Sequence, residues 1–365
     1  MSVDVPSPVV QMMNESSAPE RRILSAKERL GSELVILGHH YQKDEVIRFA
    51  DFRGDSLQLA RTAAANQKAK YIVFCGVHFM AETAAILAGP GQTVLLPESD
   101  ALCPLAEKAD RLLVEDAWSQ LGECMSPERD VMPITYINSE ADLKAFCGTH
   151  GGSVCTSSNA GKILEWARDR RPRTLFFPDQ HLGRNSGVRM GIPLERMPLW
   201  DPREPLGGNS REELLGAQII LWKGWCYVHQ RFLPTHIIDA RRRYPGIRVW
   251  VHLECTQEVV RLADDAGSTT DILRMVDAAP PGTKWAIGTE ENLVNRLARA
   301  HPEQEIHLLS PSPNNCITMN KTTVESLARV TDGLVRGELV NPIRVPEAVA
   351  GPASTALQRM LEASA

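Results

Sequence analysis

Cys103, Cys226 and Cys316 lie at least 90 residues apart, yet each closes the same pattern of residues. The pattern opens on a strand-like run ending in polar side chains: His39 and Tyr41 in the first copy, Tyr136 and Asn138 in the second, His252 and Glu254 in the third. A small hydroxyl-bearing cluster follows, Gly54-Asp55-Ser56, Thr156-Ser157-Ser158 or Gly267-Ser268-Thr269. Next come a second strand-like run with a glycine after it (Gly76, Gly183, Gly288), a helical stretch, a third run and the cysteine. Cys103 stands 64 residues after His39, and Cys316 stands 64 after His252. The 90 residues from Tyr136 to Cys226 exceed this mostly between Gly183 and Cys226, where residues 187–210, rich in Pro, Gly and Arg, read as an inserted loop. Like spacing of like residues in separate stretches marks an internal repeat.

Three thiolates converging on one centre suit a [4Fe–4S] cluster with one iron not ligated by protein. Soft thiolates match iron–sulfur chemistry, and an open iron is a Lewis acid toward substrate oxygens. A solitary cysteine is more often a small buried hydrophobe. The shared position in the repeat is what separates these three from Cys75, Cys124, Cys147, Cys155 and Cys255. Among those five, Cys255 beside Glu254 is expected nearest the centre. No CxxC or CxxxC pair occurs, which argues against a zinc ribbon or a ferredoxin-type site.

Proton transfer at such a centre calls for a base and a donor. Glu254, Tyr41, His39 and His252 are the candidate catalytic residues. Glu254 is expected to have its pKa raised by desolvation in a closed pocket. Ser56, Ser157, Ser268 and Thr269 precede helical patterns, where hydroxyls either cap a helix or bind an anion. Tyr136 and Asn138 are candidate hydrogen-bonding residues for substrate, and His229, three residues after Cys226, is a candidate contact to a carboxylate. His39, His252 and Glu254 count as substrate-binding as well as catalytic.

The elements that must position these side chains alternate along the chain. Apolar runs such as ELVILGHH, KYIVFCG, VMPITYIN, TLFFPDQ, IRVWVHLE and TKWAIGTE are separated by helical patterns, the signature of parallel α/β units. The expected fold is three similar Rossmann-like α/β domains with parallel sheets, arranged with pseudo-threefold symmetry around a central active site. In parallel sheets functional groups gather beyond the carboxyl ends of the strands. Expected boundaries are 21–115, 116–235 and 236–322, with 323–365 packing back on the first domain and 1–20 a disordered lead-in. A formal charge of −5 and a pI near 6.1 give no sign of a nucleic-acid partner. No apolar run nears the roughly 20 residues of a membrane span. Eight cysteines without a basic, apolar leader read as reduced thiols of a cytoplasmic protein.

The stretches LGHHYQKDEVIRFADFRGDSLQLAR, VFCGVHFMAETAAIL, LPESDALCPLAE, TYINSEADLKAF, VCTSSNAGKIL, FFPDQHLGRN, LWKGWCYVHQRF, VHLEC, GTEENLVNRL and NNCITMNKTT together resemble the quinolinate synthase family in its long form. The similarity covers about residues 30 to 322. It implies condensation of iminoaspartate with dihydroxyacetone phosphate to quinolinate, with loss of phosphate and two waters, in NAD biosynthesis. It also implies an oxygen-sensitive [4Fe–4S] cluster on Cys103, Cys226 and Cys316, and a functional link to an enzyme that supplies iminoaspartate. One departure is Leu253, where many members have proline in VHPE; His252 and Glu254 remain.

Three other readings stand beside this one. A three-domain iron–sulfur enzyme of the diphthamide-forming type would share the frame without needing the HxY, VHxE and PDxHLGxN elements. A non-catalytic iron–sulfur sensor would need neither hydroxyl clusters nor acid–base pairs. A zinc-dependent lyase comes third.

Overall fold

The run LVILGH is apolar at successive rather than alternate positions, and a strand of that kind must be covered on both faces. In the computed structural model, which describes residues 17–66 and 68–364, this run is β1 (Leu34–His39). It lies in a four-stranded parallel sheet of order β2-β1-β3-β4, with β2 at Phe52–Gly54, β3 at Tyr71–Cys75 and β4 at Thr93–Leu95. The second unit repeats the arrangement with β5 (Val131–Tyr136), β6 (Ser153–Cys155), β7 (Arg173–Phe177) and β9 (Ile219–Trp222). Its insertion adds β8 (Leu199–Trp200), so the order is β6-β5-β7-β9-β8. The third has β10 (Arg248–His252), β11 (Asp265–Gly267), β12 (Lys284–Gly288) and β13 (Glu305–Leu308) in the order β11-β10-β12-β13. These are three Rossmann-like α/β units.

The short strands β2, β6 and β11 escape the sequence pattern, because three residues are too few to show a period. They set the site's register. His39 lies opposite Gly54, Tyr136 opposite Cys155, and His252 opposite Gly267. Each polar strand end is thereby fixed beside the hydroxyl cluster that follows the short strand. The expected glycine equivalence is corrected in the second unit. The residue after β7 is Pro178, and Gly183 instead lies inside the helix Gln180–Arg189, against Phe176 and Leu221.

Side-chain bonds hold the three units with their strand ends facing one another. Arg296 reaches Asp44 at 2.7 Å and the carbonyls of His40 and Gln42 at 2.7 and 2.5 Å, joining the third unit to the first. Asn185 donates to the carbonyls of Leu253 and Cys255 at 2.7 and 2.8 Å, joining the second to the third. Glu82 accepts the Ala141 N–H at 3.0 Å, and His78 meets Glu140 at 2.9 Å, joining the first to the second. Asp55 joins all three. One of its oxygens caps the helix Ser56–Ala65 by accepting the Gln58 N–H, and the other accepts the hydroxyls of Ser158 (2.7 Å) and Thr270 (2.6 Å).

The termini differ from expectation. The first helix begins at Ala18, inside the expected lead-in, with Glu20 reaching back to the Ser17 N–H at 2.9 Å; residues 1–16 of that lead-in lie outside the described residues. Residues 323–364 are divided between two units. The helix Val324–Val335 buries Leu327, Val330 and Leu334 with Ile23, Leu34, Ile36 and Leu95 of the first unit. Burial on that scale is worth roughly 1.5–3 kcal/mol per side chain. The last helix, Glu347–Ala363, lies instead on the helix Ala141–Thr149 of the second unit, with Arg359 donating to the Gly152 carbonyl at 2.7 Å. That crossing requires Gly148, where a Cβ would stand 1.9 Å from the Pro352 carbonyl oxygen. An apolar stripe shows that a helix face is buried without saying against which unit.

Candidate active site

The carboxyl ends of β1, β5 and β10 face one cavity of about 60 Å³, room for a few waters. The first unit contributes His39, Tyr41, Ser56 and Cys103 to its wall. The second contributes Tyr136, Asn138, Cys226 and His229, and the third His252, Glu254 and Cys316. Val77, Phe79, Met80, Val228 and Met319 make the rest largely apolar. Residues more than 200 positions apart thus share one cavity. Ser157, Ser268 and Thr269 stand outside this wall. Ser268 binds Asp271 by donating to its carboxylate at 2.8 Å and capping its N–H at 3.2 Å, which leaves its hydroxyl a helix cap. Thr269 lies behind Tyr41, 3.0 Å from the phenol oxygen. Ser157 lines a separate surface depression with Lys162 and Arg189.

The strand ends of the first and third units turn alike. The Tyr41 N–H donates to Nδ1 of His39 at 3.1 Å, and the Glu254 N–H donates to Nδ1 of His252 at 3.3 Å. In each case the accepting Nδ1 leaves Nε2 to carry the proton. Burial first, then the neighbouring His40, drives the His39 pKa down to about 3. Burial first, then His229, does the same to His252, also to about 3. Both imidazoles are therefore neutral hydrogen-bond donors near pH 7. Tyr41, held by Thr269 and by Thr289 at 2.9 Å, is pushed well above the ordinary phenol range by burial and stays protonated. Burial does the same to Tyr136.

Glu254 departs from expectation. Burial pushes its pKa up, as the sequence reading has it, but the histidine opposite reverses the sign. Nδ1 of His229 lies 2.8 Å from one carboxylate oxygen and holds the carboxyl below its usual range, with neutral His252 beside it. The two imidazoles stack with centroids 4.3 Å apart. Glu254 is thus a buried, ionised carboxylate, suited to taking a proton. Its other oxygen and the Oδ1 of Asn138 are buried without a hydrogen-bond partner among the described residues. Buried polar atoms in proteins are nearly always partnered, so these two acceptors mark where a ligand's donors belong.

The three wall cysteines are half-buried, whereas Cys75, Cys147, Cys155 and Cys255 are buried. Burial pushes the Cys103 thiol up to about 12 and raises Cys226 and Cys316 too. Smaller contributions come from one another: Cys316 acts on Cys103, and Cys316 and Cys103 both act on Cys226. Three thiols close enough to oppose one another's ionisation are what a polynuclear metal centre would relieve by replacing protons with metal. The Thr318 hydroxyl, 3.4 Å from the Cys316 sulfur, adds a hydrogen-bond partner there. The donor set fits an iron–sulfur cluster on Cys103, Cys226 and Cys316. Cys255, expected nearest the centre, points its sulfur to the Gly288 carbonyl at 3.7 Å and is not part of the wall.

Fold and site together define a three-unit α/β enzyme with one thiol-rich centre shared between its units. The family model described as quinolinate synthetase A protein matches residues 21–362. The chain is 51% identical over 358 residues to the quinolinate synthase of Rhodopirellula baltica, covering 95% of this chain and 91% of that protein. It is 52% identical over 341 residues to that of Corynebacterium glutamicum, covering 93% and 86% respectively. For that of Halalkalibacterium halodurans the identity is 51% over 343 residues, covering 94% and 93%. The chain belongs to the quinolinate synthase family.

Sequence reasoning passed over several residues near this centre. Asp55 was legible only as part of a hydroxyl cluster, although an acidic residue just before a helical pattern is a capping signal. Asp179 and Glu290 carry the same signal, and Thr289 carries none.

Proposed function

We propose that the chain condenses iminoaspartate with dihydroxyacetone phosphate to quinolinate, in the cytoplasm and for NAD biosynthesis. The products are quinolinate, one phosphate and two waters; the equation balances without an oxidant or reductant, and the enzyme is a transferase. The observation that carries this reading is the meeting of three thiols, one from each unit, in the same cavity as an ionised glutamate with an unpartnered oxygen.

When bound, a [4Fe–4S] cluster on Cys103, Cys226 and Cys316 supplies Lewis acidity toward a departing hydroxyl. The remaining chemistry falls to side chains. Glu254 removes a proton from carbon or nitrogen as the new bonds form, with His229 holding the carboxylate in place. Tyr41, protonated and backed by Thr269 and Thr289, donates toward a leaving or enolic oxygen. His39 and His252 donate through Nε2 to substrate oxygens. Tyr136, Asn138 and Ser56 orient the dicarboxylate, while Thr269 acts on it only through Tyr41, Ser268 caps the helix Thr269–Asp277 and Ser157 faces a separate depression. The apolar wall of Val77, Phe79 and Met80 keeps bulk water from the imine.

The test is to supply anaerobically prepared protein with dihydroxyacetone phosphate and iminoaspartate formed from oxaloacetate and ammonia. Quinolinate and phosphate should appear in equal amounts. A protein carrying its full iron and sulfide that forms no quinolinate would sink the proposal. A second reading rests on Cys226, His229 and Glu254, whose donor atoms lie within 4.8 Å of one another. That set would suit a single zinc ion, and metal analysis separates the two readings.

A further inference from the structure

The loops that carry the three cysteines dock in one way. Each central strand is followed two residues later by the N-cap of a helix: Val77 after β3, Asp179 after β7, Glu290 after β12. The first helical N–H then donates to the carbonyl two residues before the cysteine. His78 donates to Ala101 at 2.9 Å, Gln180 to Gly224 at 2.8 Å, and Glu291 to Asn314 at 3.1 Å. The cysteine loops therefore sit on three equivalent helix ends. The second loop lies so close that a Cβ on Gly224 would stand 2.2 Å from the Pro178 carbonyl oxygen.

In two units the N-cap side chain does a second job. One oxygen of Asp179 accepts the His181 and Leu182 N–H groups, both at 2.8 Å, and the other accepts the Cys226 N–H at 3.2 Å. One oxygen of Glu290 accepts the Asn292 and Leu293 N–H groups at 2.8 and 3.4 Å, and the other accepts the Cys316 N–H and the Asn292 side-chain amide, both at 3.2 Å. Both carboxyls are fully buried. In the first unit the same position is Val77, which has no such oxygen.

We propose that Asp179 and Glu290 are positioning residues for the metal centre, each tying a ligand cysteine to the helix after the central strand, and that Cys103 is held without such a tie. A helix cap alone needs one acceptor oxygen; these carboxyls use both, and the second reaches the cysteine in two of the three units. This rests on the cluster reading above.

The test uses the anaerobic, cluster-loaded protein and its Asp179→Asn and Glu290→Gln variants, with Asp110→Asn as control. Asp110 caps the helix Arg111–Gly122 through the Leu113 N–H and touches no cysteine. An amide has one acceptor oxygen, so it keeps the helix cap and loses the bond to the cysteine. Cluster loss to a chelator should be roughly 10-fold or more faster in both variants, as when a partner behind a metal ligand is removed, and unchanged in the control. If a variant arrives without its cluster, alkylation of the iron-free proteins resolved by cysteine gives the second readout. Asp179→Asn should speed labelling of Cys226, and Glu290→Gln that of Cys316, with Cys103 unaffected by either. Cluster release and cysteine labelling at wild-type rates in both variants would overturn the inference while leaving the cluster intact. A wild-type protein without iron would overturn the cluster reading and this one with it.

Discussion

Replacing Glu254 by Gln is expected to cut kcat by about 10²–10⁴-fold, the range a positioned general base contributes, while iron content stays that of the wild type. Gln has nearly the same volume and retains a carbonyl oxygen for His229, so the wall keeps its shape. What it loses is the negative charge that takes the proton. Because His229 holds the carboxyl below its ordinary range, it stays ionised throughout the neutral region. No fall in kcat above about pH 5 should then trace to its protonation. The decisive comparison is kcat at matched iron and sulfide. A rate within about threefold of wild type would fall far short of a base's contribution and remove Glu254 from the catalytic machinery.

The second large effect is on the metal. Serine at position 103, 226 or 316 exchanges a thiolate for a hard hydroxyl that iron–sulfur clusters bind poorly. Each single variant should fall from about four irons per chain to less than one, and quinolinate formation should fall with it. Cys124→Ser and Cys147→Ala should keep both, since Cys124 is half-buried away from the cavity wall and Cys147 packs in the core. Far-UV circular dichroism separates lost metal from lost fold. A Cys316→Ser protein with full iron and sulfide would remove that residue from the ligand set.

Much of the fold was legible in the sequence because its signals are long. Five- and six-residue apolar runs announce the central strands, and equal spacings from His39 to Cys103 and from His252 to Cys316 announce the repeat. The strand-end pairs His39/Tyr41, Tyr136/Asn138 and His252/Glu254 followed from that repeat, and they share one cavity. What stayed hidden depends on who faces whom. Sequence says Glu254 is buried, and burial alone raises a carboxyl's pKa; only the structure brings His229 to 2.8 Å and reverses the direction. Sequence places Ser268 before a helix, and only the structure shows its hydroxyl engaged with Asp271. The double role of Asp179 and Glu290 depends on loops 47 and 26 residues further along. No window around either residue contains that information.

The measurement that bears most directly on the central claim is metal and sulfide content of the wild-type chain purified without oxygen. Three cysteines from three units around one cavity predict a brown protein with about four irons and four sulfides per chain and no stoichiometric zinc. A colourless protein with about one zinc and no sulfide would contradict it, and would move the centre to Cys226, His229 and Glu254.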